Sequence, residues 1–144
     1  KIKFNNKIIH QSKLLNYFSN DMDSEKVEKE LEKRLKKIKK NKKYYFSTKD
    51  IILIESLIYD GIEISEKYSS ILELYNSNIP TDIEVMINDG EMAMILLRLV
   101  EIIGEDDLNN LGSESLYFIL STLNKLNIDK IRNNIILKTF PLKV

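Results

Sequence analysis

The chain has 144 residues, 43% apolar and 31% charged, with no cysteine and a formal net charge of zero. That composition supports one folded domain able to bury roughly two thirds of its unfolded surface, and it excludes a low-hydrophobicity disordered chain. It also excludes a membrane protein: the longest apolar run, Met92 to Leu97, falls far short of the roughly 20 residues a spanning helix needs.

Without cysteine there is no disulfide, thiolate nucleophile or cysteine-bound metal, and the redox compartment stays unreadable. Lys1 stands where an initiator Met would, so the chain reads as a processed protein or a segment of a longer one, in which a targeting signal would be invisible. A soluble, cytoplasmic setting is slightly favoured. The zero net charge hides a polarity along the chain. Residues 1–50 hold 15 Lys and Arg against 7 Asp and Glu (+8), residues 51–112 hold 2 against 13 (−11), and residues 113–144 hold 5 against 2 (+3). A basic front and an acidic middle are suited either to attract one another or to face different partners.

Four glycines and two prolines punctuate a sequence rich in Leu, Ile, Lys, Glu and Asn, so the expectation is an all-α fold of about six helices. Residues 6–19 place Ile8, Leu15 and Phe18 on one face of a first helix. A second spans 24–40, opening at Asp23 or Ser24, with a narrow seam of Val27, Leu31, Leu35 and Ile38. The rest of it is charged, with Glu25–Lys29, Glu30–Arg34 and Glu32–Lys36 in the favourable acid-first order. A third starts at Ser47, where Asp50 completes a capping-box variant and Phe46 is placed as a staple on Ile51, and it stops at Gly61.

A fourth helix is expected over 63–76, with Ile64, Tyr68, Ile71, Leu72 and Tyr75 on one stripe, before a loop at Asn78-Ile79-Pro80. Thr81 and Glu84 cap a short piece that breaks at Asp89-Gly90. Residues 91–103 are apolar nearly all round, the pattern of a central helix. Residues 114–126 follow with Leu116, Ile119, Leu120, Leu123 and Leu126 inward, and a last helix over 129–139 carries Ile131 and Ile135 before Phe140-Pro141. Helices joined by short connections pack as antiparallel hairpins, in a bundle or a short stack. The charged front, residues 1–46, reads as an arm on a compact body of residues 47–144.

Catalytic chemistry has little to stand on. His10 is the sole histidine, which removes any two-histidine metal site, and with no local partner it reads as an ordinary surface or partly buried residue. The glycines form neither a dinucleotide fingerprint nor a phosphate loop. Asp21, Asp23, Glu25 and Glu32 match four places of a calcium loop, but Lys26 sits where the loop needs glycine and Glu28 where it needs an apolar residue. Asp106-Asp107 reads as a solvated loop. No cofactor or metal is expected, and no enzyme.

What remains is the run from Lys33 to Tyr45. Lys33, Arg34, Lys36, Lys37, Lys39, Lys40, Lys42 and Lys43 supply the cation density that polyanion affinity needs, and Tyr44 and Tyr45 could stack on bases. The preponderance of Lys over Arg argues against base readout, and a lysine-rich helix end is often a solvated face. The expectation is therefore a non-catalytic helical protein–protein interaction module, part of a larger protein or assembly, whose partner is another protein. The alternative is a nucleic-acid-binding protein that grips phosphates through residues 33–43.

Overall fold

Six α-helices and several 3-10 turns make up the computed structural model, which describes residues 9–41, 43–72, 81–104 and 107–140. The helices are α1 (Ser24–Lys40), α2 (Thr48–Tyr59), α3 (Thr81–Asn88), α4 (Met92–Ile103), α5 (Ser113–Lys125) and α6 (Asp129–Thr139). There is no strand among the described residues. The fold is all-α, as the spacing of the apolar positions implies.

Local chemistry explains where the helices begin and end. Asp23 caps α1 by accepting the Lys26 N–H at 2.9 Å. Ser47 and Asp50 form the reciprocal capping box that opens α2. Gly61 closes α2 with φ +87°, while its own N–H bonds to Ile58 and that of Ile62 reaches back to the Leu57 carbonyl. A side chain there would strain the left-handed backbone, and the turn tucks Ile62 into the core. Asn127, φ +55°, ends α5 by the same pair of bonds, with Ile128 N–H on the Leu123 carbonyl.

The front of the chain is less regular than its pattern suggests. Instead of one helix over 6–19, the described part forms two 3-10 turns, Ile9–Gln11 and Lys13–Tyr17. Ser12 separates them because its side chain takes the Leu14 N–H and restarts the turn. Ile8 lies outside the described residues. The fourth expected helix opens as a 3-10 turn, Glu66–Tyr68, followed by helical residues Ser69–Leu72; residues 73–76, with Tyr75, and Asn78-Ile79-Pro80 lie outside the described residues.

One hydrophobic cluster runs through the molecule. Ile9, Leu14, Leu15 and Phe18 from the front, Val27, Leu31 and Leu35 from α1, Leu53, Ile54 and Leu57 from α2, Tyr68, and Leu116, Ile119, Leu120 and Leu123 from α5 all belong to it. The central pair is α2 and α5. Val27, Leu31 and Leu35 of the α1 seam lie in the same cluster as α2 and α5, with Ile38 partly buried against it, so the residues expected as an arm share the core of the expected body. The seam is narrow because a helix needs only one stripe to be held.

α4 departs most from expectation. Only Ile95 and Leu99 are buried, while Met94, Leu97 and Val100 are 52%, 59% and 63% exposed. An all-round apolar pattern identifies a helix without a polar face, but cover depends on neighbours, and α4 packs chiefly against α3 and α5. In the last helix Ile135 and Arg132 face in, whereas Ile131 faces out. Leu120→Ala, in the central pair, should cost about 2–5 kcal/mol, whereas Leu97→Ala should stay within about 0.5 kcal/mol; chemical denaturation of the two variants checks the placement.

Candidate functional site

The lysine run is continuous in sequence but not in space. Helical geometry spreads it over a crest and two flanks of α1. Lys36 and Lys40 stand on the crest. Lys39 lies on the flank facing residues 66–68, where its Nζ donates to the Lys67 carbonyl at 3.2 Å and sits 5.8 Å from the Tyr68 ring centre. Lys33 and Lys37 lie on the opposite flank and, with Arg34, Glu30 and Lys13 of the second 3-10 turn, line a groove of about 220 Å³. Arg34 is drawn into the structure: it is buried and pairs with Glu30 at 2.7 Å. Lys43 is exposed, and Lys42 lies outside the described residues.

The two tyrosines part company. The Tyr44 hydroxyl donates to Asp50 Oδ2 at 3.1 Å, and its ring stands edge-on to Phe46 at 5.3 Å. Burial, together with the Asp50 charge, pushes that hydroxyl well above the ordinary tyrosine range. Tyr45 is 86% exposed. Only Tyr45 presents an open ring, so a tandem stacking platform is not assembled.

Asp50 is the centre of a polar hub that sequence reading assigned only to a helix cap. Its Oδ1 accepts the His10 backbone N–H at 2.8 Å and faces His10 Nδ1 at 2.7 Å; its Oδ2 takes Tyr44 and the Ser47 N–H at 3.0 Å. Burial would raise its pKa, but the hydrogen bonds from His10 and Ser47 outweigh that and hold the carboxyl below its ordinary value. His10 thus has a partner after all, forty positions away in sequence, and is buried edge-on to Phe140.

Ser47 Oγ also lies 3.2 Å from His10 Nδ1. Serine, histidine and aspartate here share one ring nitrogen, whereas a nucleophilic triad needs the serine and the acid on opposite nitrogens. The hub ties the front of the chain to the start of α2.

A second hub sits at the other end of α2. Arg132 is wholly buried and meets Asp60 through two parallel bonds of 2.7 Å. Asn124 and Asn133 take the remaining guanidinium hydrogens, at 3.0 Å for Asn124 Oδ1 and at 2.8 and 3.0 Å for Asn133 Oδ1. The spacing of Ile128, Arg132, Ile135 and Thr139 puts the arginine on the inward stripe, and that was the signal available in the sequence. The acids of the calcium-like stretch have separate partners: Asp21 accepts from Ser19 and Asp23 caps α1, both locally, while Glu32 bridges the distant Lys67 at 2.7 Å.

The basic front and acidic middle barely neutralise each other. Glu32–Lys67 is the one ion pair between them among the described residues, and there the signs are reversed, an acid of α1 meeting a base of the middle. The α3–α4 hairpin keeps Asp82, Glu84, Asp89, Glu91 and Glu101 against the single Arg98, which bonds Glu101 at 3.2 Å, while Glu84 meets Lys125 at 3.6 Å. Of these acids, Glu91, at the N-cap position, and Glu101 belong to α4 itself, beside the exposed Met94, Leu97 and Val100. Between α3, α4 and α5 runs a groove of about 320 Å³ lined by Asp82, Ile83, Arg98, Ile102, Glu114 and Phe118. No helix among the described residues is long and apolar enough to cross a membrane. No protein-family model, characterised protein or solved structure matches the chain.

Proposed function

We propose that the chain is a non-catalytic helical interaction module whose docking face is the exposed stripe of α4, and that its occupant is a basic amphipathic helix of another protein. The observation that carries this reading is an open apolar row on a hairpin of net negative charge. Ala93, Leu97 and Val100, with Leu96 beside them, recur at the three- and four-residue spacing that a partner helix reads as a seam. The α3–α4 hairpin carries five acids against the paired Arg98, with Glu84 turned to Lys125 of α5, so its net charge attracts lysine and arginine flanks and repels a second copy of itself. The nucleic-acid alternative is weakened by the engagement of Tyr44 with Asp50 and of Arg34 with Glu30.

The test uses the full chain and a synthetic helical peptide with leucines on one face and lysines on its flanks, binding being followed by fluorescence anisotropy. Leu97→Asp should weaken binding by about tenfold or more, as loss of a central apolar anchor does, and a glutamate-flanked version of the peptide should bind about tenfold more weakly. Equal affinity for the two peptides, or an unchanged affinity in Leu97→Asp, overturns the reading. So does a dimer of the unliganded chain that Leu97→Asp dissociates, because the occupant would then be a second copy.

A further inference from the structure

From the groove between the second 3-10 turn and α1, we infer a binding site for the dianionic phosphate of a phosphate monoester, separate from the docking face on α4. Its lining is entirely charged: Lys13 from one element, and Glu30, Lys33, Arg34 and Lys37 from the other. The one acid is already matched, since Glu30 holds Arg34 at 2.7 Å. None of the ion pairs among the described residues involves Lys13, Lys33 or Lys37. Three lysines therefore line one open groove with no ion pair among the described residues.

The geometry selects among anions. The Lys33–Lys37 spacing is one helical turn, so both residues lie on one flank of α1, and Lys13 of the second 3-10 turn lines the same groove. That arrangement concentrates positive charge in one groove, which suits a terminal phosphate carrying close to two negative charges. A nucleic-acid strand asks for something else, a row of cations tracking singly charged diesters. Lys39 is turned to the far flank and Arg34 is held inward, so only the crest lysines Lys36 and Lys40 could extend the groove's cations into such a row, and the crest variant below tests them.

The test is a titration of the full chain, followed by the backbone amide NMR signals of Lys13, Lys33 and Lys37, with methyl phosphate and dimethyl phosphate as probes. Methyl phosphate should shift all three signals together, and dimethyl phosphate should need about tenfold more ligand or show no saturation. The double substitution Lys33→Gln/Lys37→Gln should weaken methyl phosphate binding by roughly five- to tenfold, while Lys36→Gln/Lys40→Gln on the crest should leave it within about twofold. Circular dichroism melts confirm that each variant stays folded.

Equal binding of the two probes overturns the inference, as does equal loss in the two double variants. A single-stranded oligonucleotide lacking terminal phosphates serves as a further arm. If it binds more tightly than methyl phosphate and depends on Lys36 and Lys40 as well, the groove is part of a nucleic-acid grip and the monoester site is wrong.

Discussion

Deletion of residues 1–46 is expected to abolish cooperative unfolding of the remaining chain. Seven apolar side chains leave with that segment, Ile9, Leu14, Leu15, Phe18, Val27, Leu31 and Leu35, each 3% exposed or less and all in the shared core. At about 1.5–3 kcal/mol for each buried side chain, their joint contribution is roughly 10–20 kcal/mol, against a net stability of about 5–15 kcal/mol for a whole domain. The deletion also removes His10 and Tyr44 from Asp50, leaving a buried carboxylate with its Ser47 cap alone. A thermal melt by circular dichroism checks this: a broad, non-cooperative trace is expected, and a sharp transition near that of the full chain would show that residues 47–144 fold as a separate body.

Arg132→Ala should cost about 3–5 kcal/mol in urea denaturation, the penalty for breaking a buried ion pair from one side. The loss exceeds the missing attraction because Asp60 and Asn124 keep their acceptors in a site built to receive five N–H donors. The cavity and the missing contact with the Phe18 ring, 5.7 Å from the guanidinium carbon, add to it. Arg132→Met combined with Asp60→Leu should lose less than Arg132→Ala, since no charge is then left without its partner. A loss below about 1 kcal/mol for Arg132→Ala would mean that the hub is not closed in solution.

These two results bear on what the sequence could disclose. The boundaries of α1 and α2 were legible because their determinants are local: Asp23, the Ser47–Asp50 box and Gly61 act on backbone groups a few residues away. The hubs were not legible, because His10 and Asp50 are 40 residues apart and Asp60 and Arg132 are 72 apart, with nothing in either neighbourhood naming the other. The run of 33–43 misled in a different way. Adjacency in sequence suggested one grip, whereas a helix sends Lys33 and Lys37 to one flank and Lys39 to the other.

For α4 the apolar pattern was read correctly as helix and wrongly as centre. Hydrophobicity all round states only that cover is needed on every side. Within the described chain α3 and α5 cover part of it, and the remaining face is where a partner is proposed.

The most direct measurement follows the four methionine methyl groups, Met22, Met86, Met92 and Met94, by NMR as the lysine-flanked peptide is added to the full chain. Met92 and Met94 lie on exposed α4, whereas Met22 packs against the core just ahead of α1. Docking on the α4 stripe predicts that the Met92 and Met94 signals shift with a common saturation curve while Met22 stays still. A shift confined to Met22, or no shift at Met92 and Met94 at saturating peptide, would contradict it.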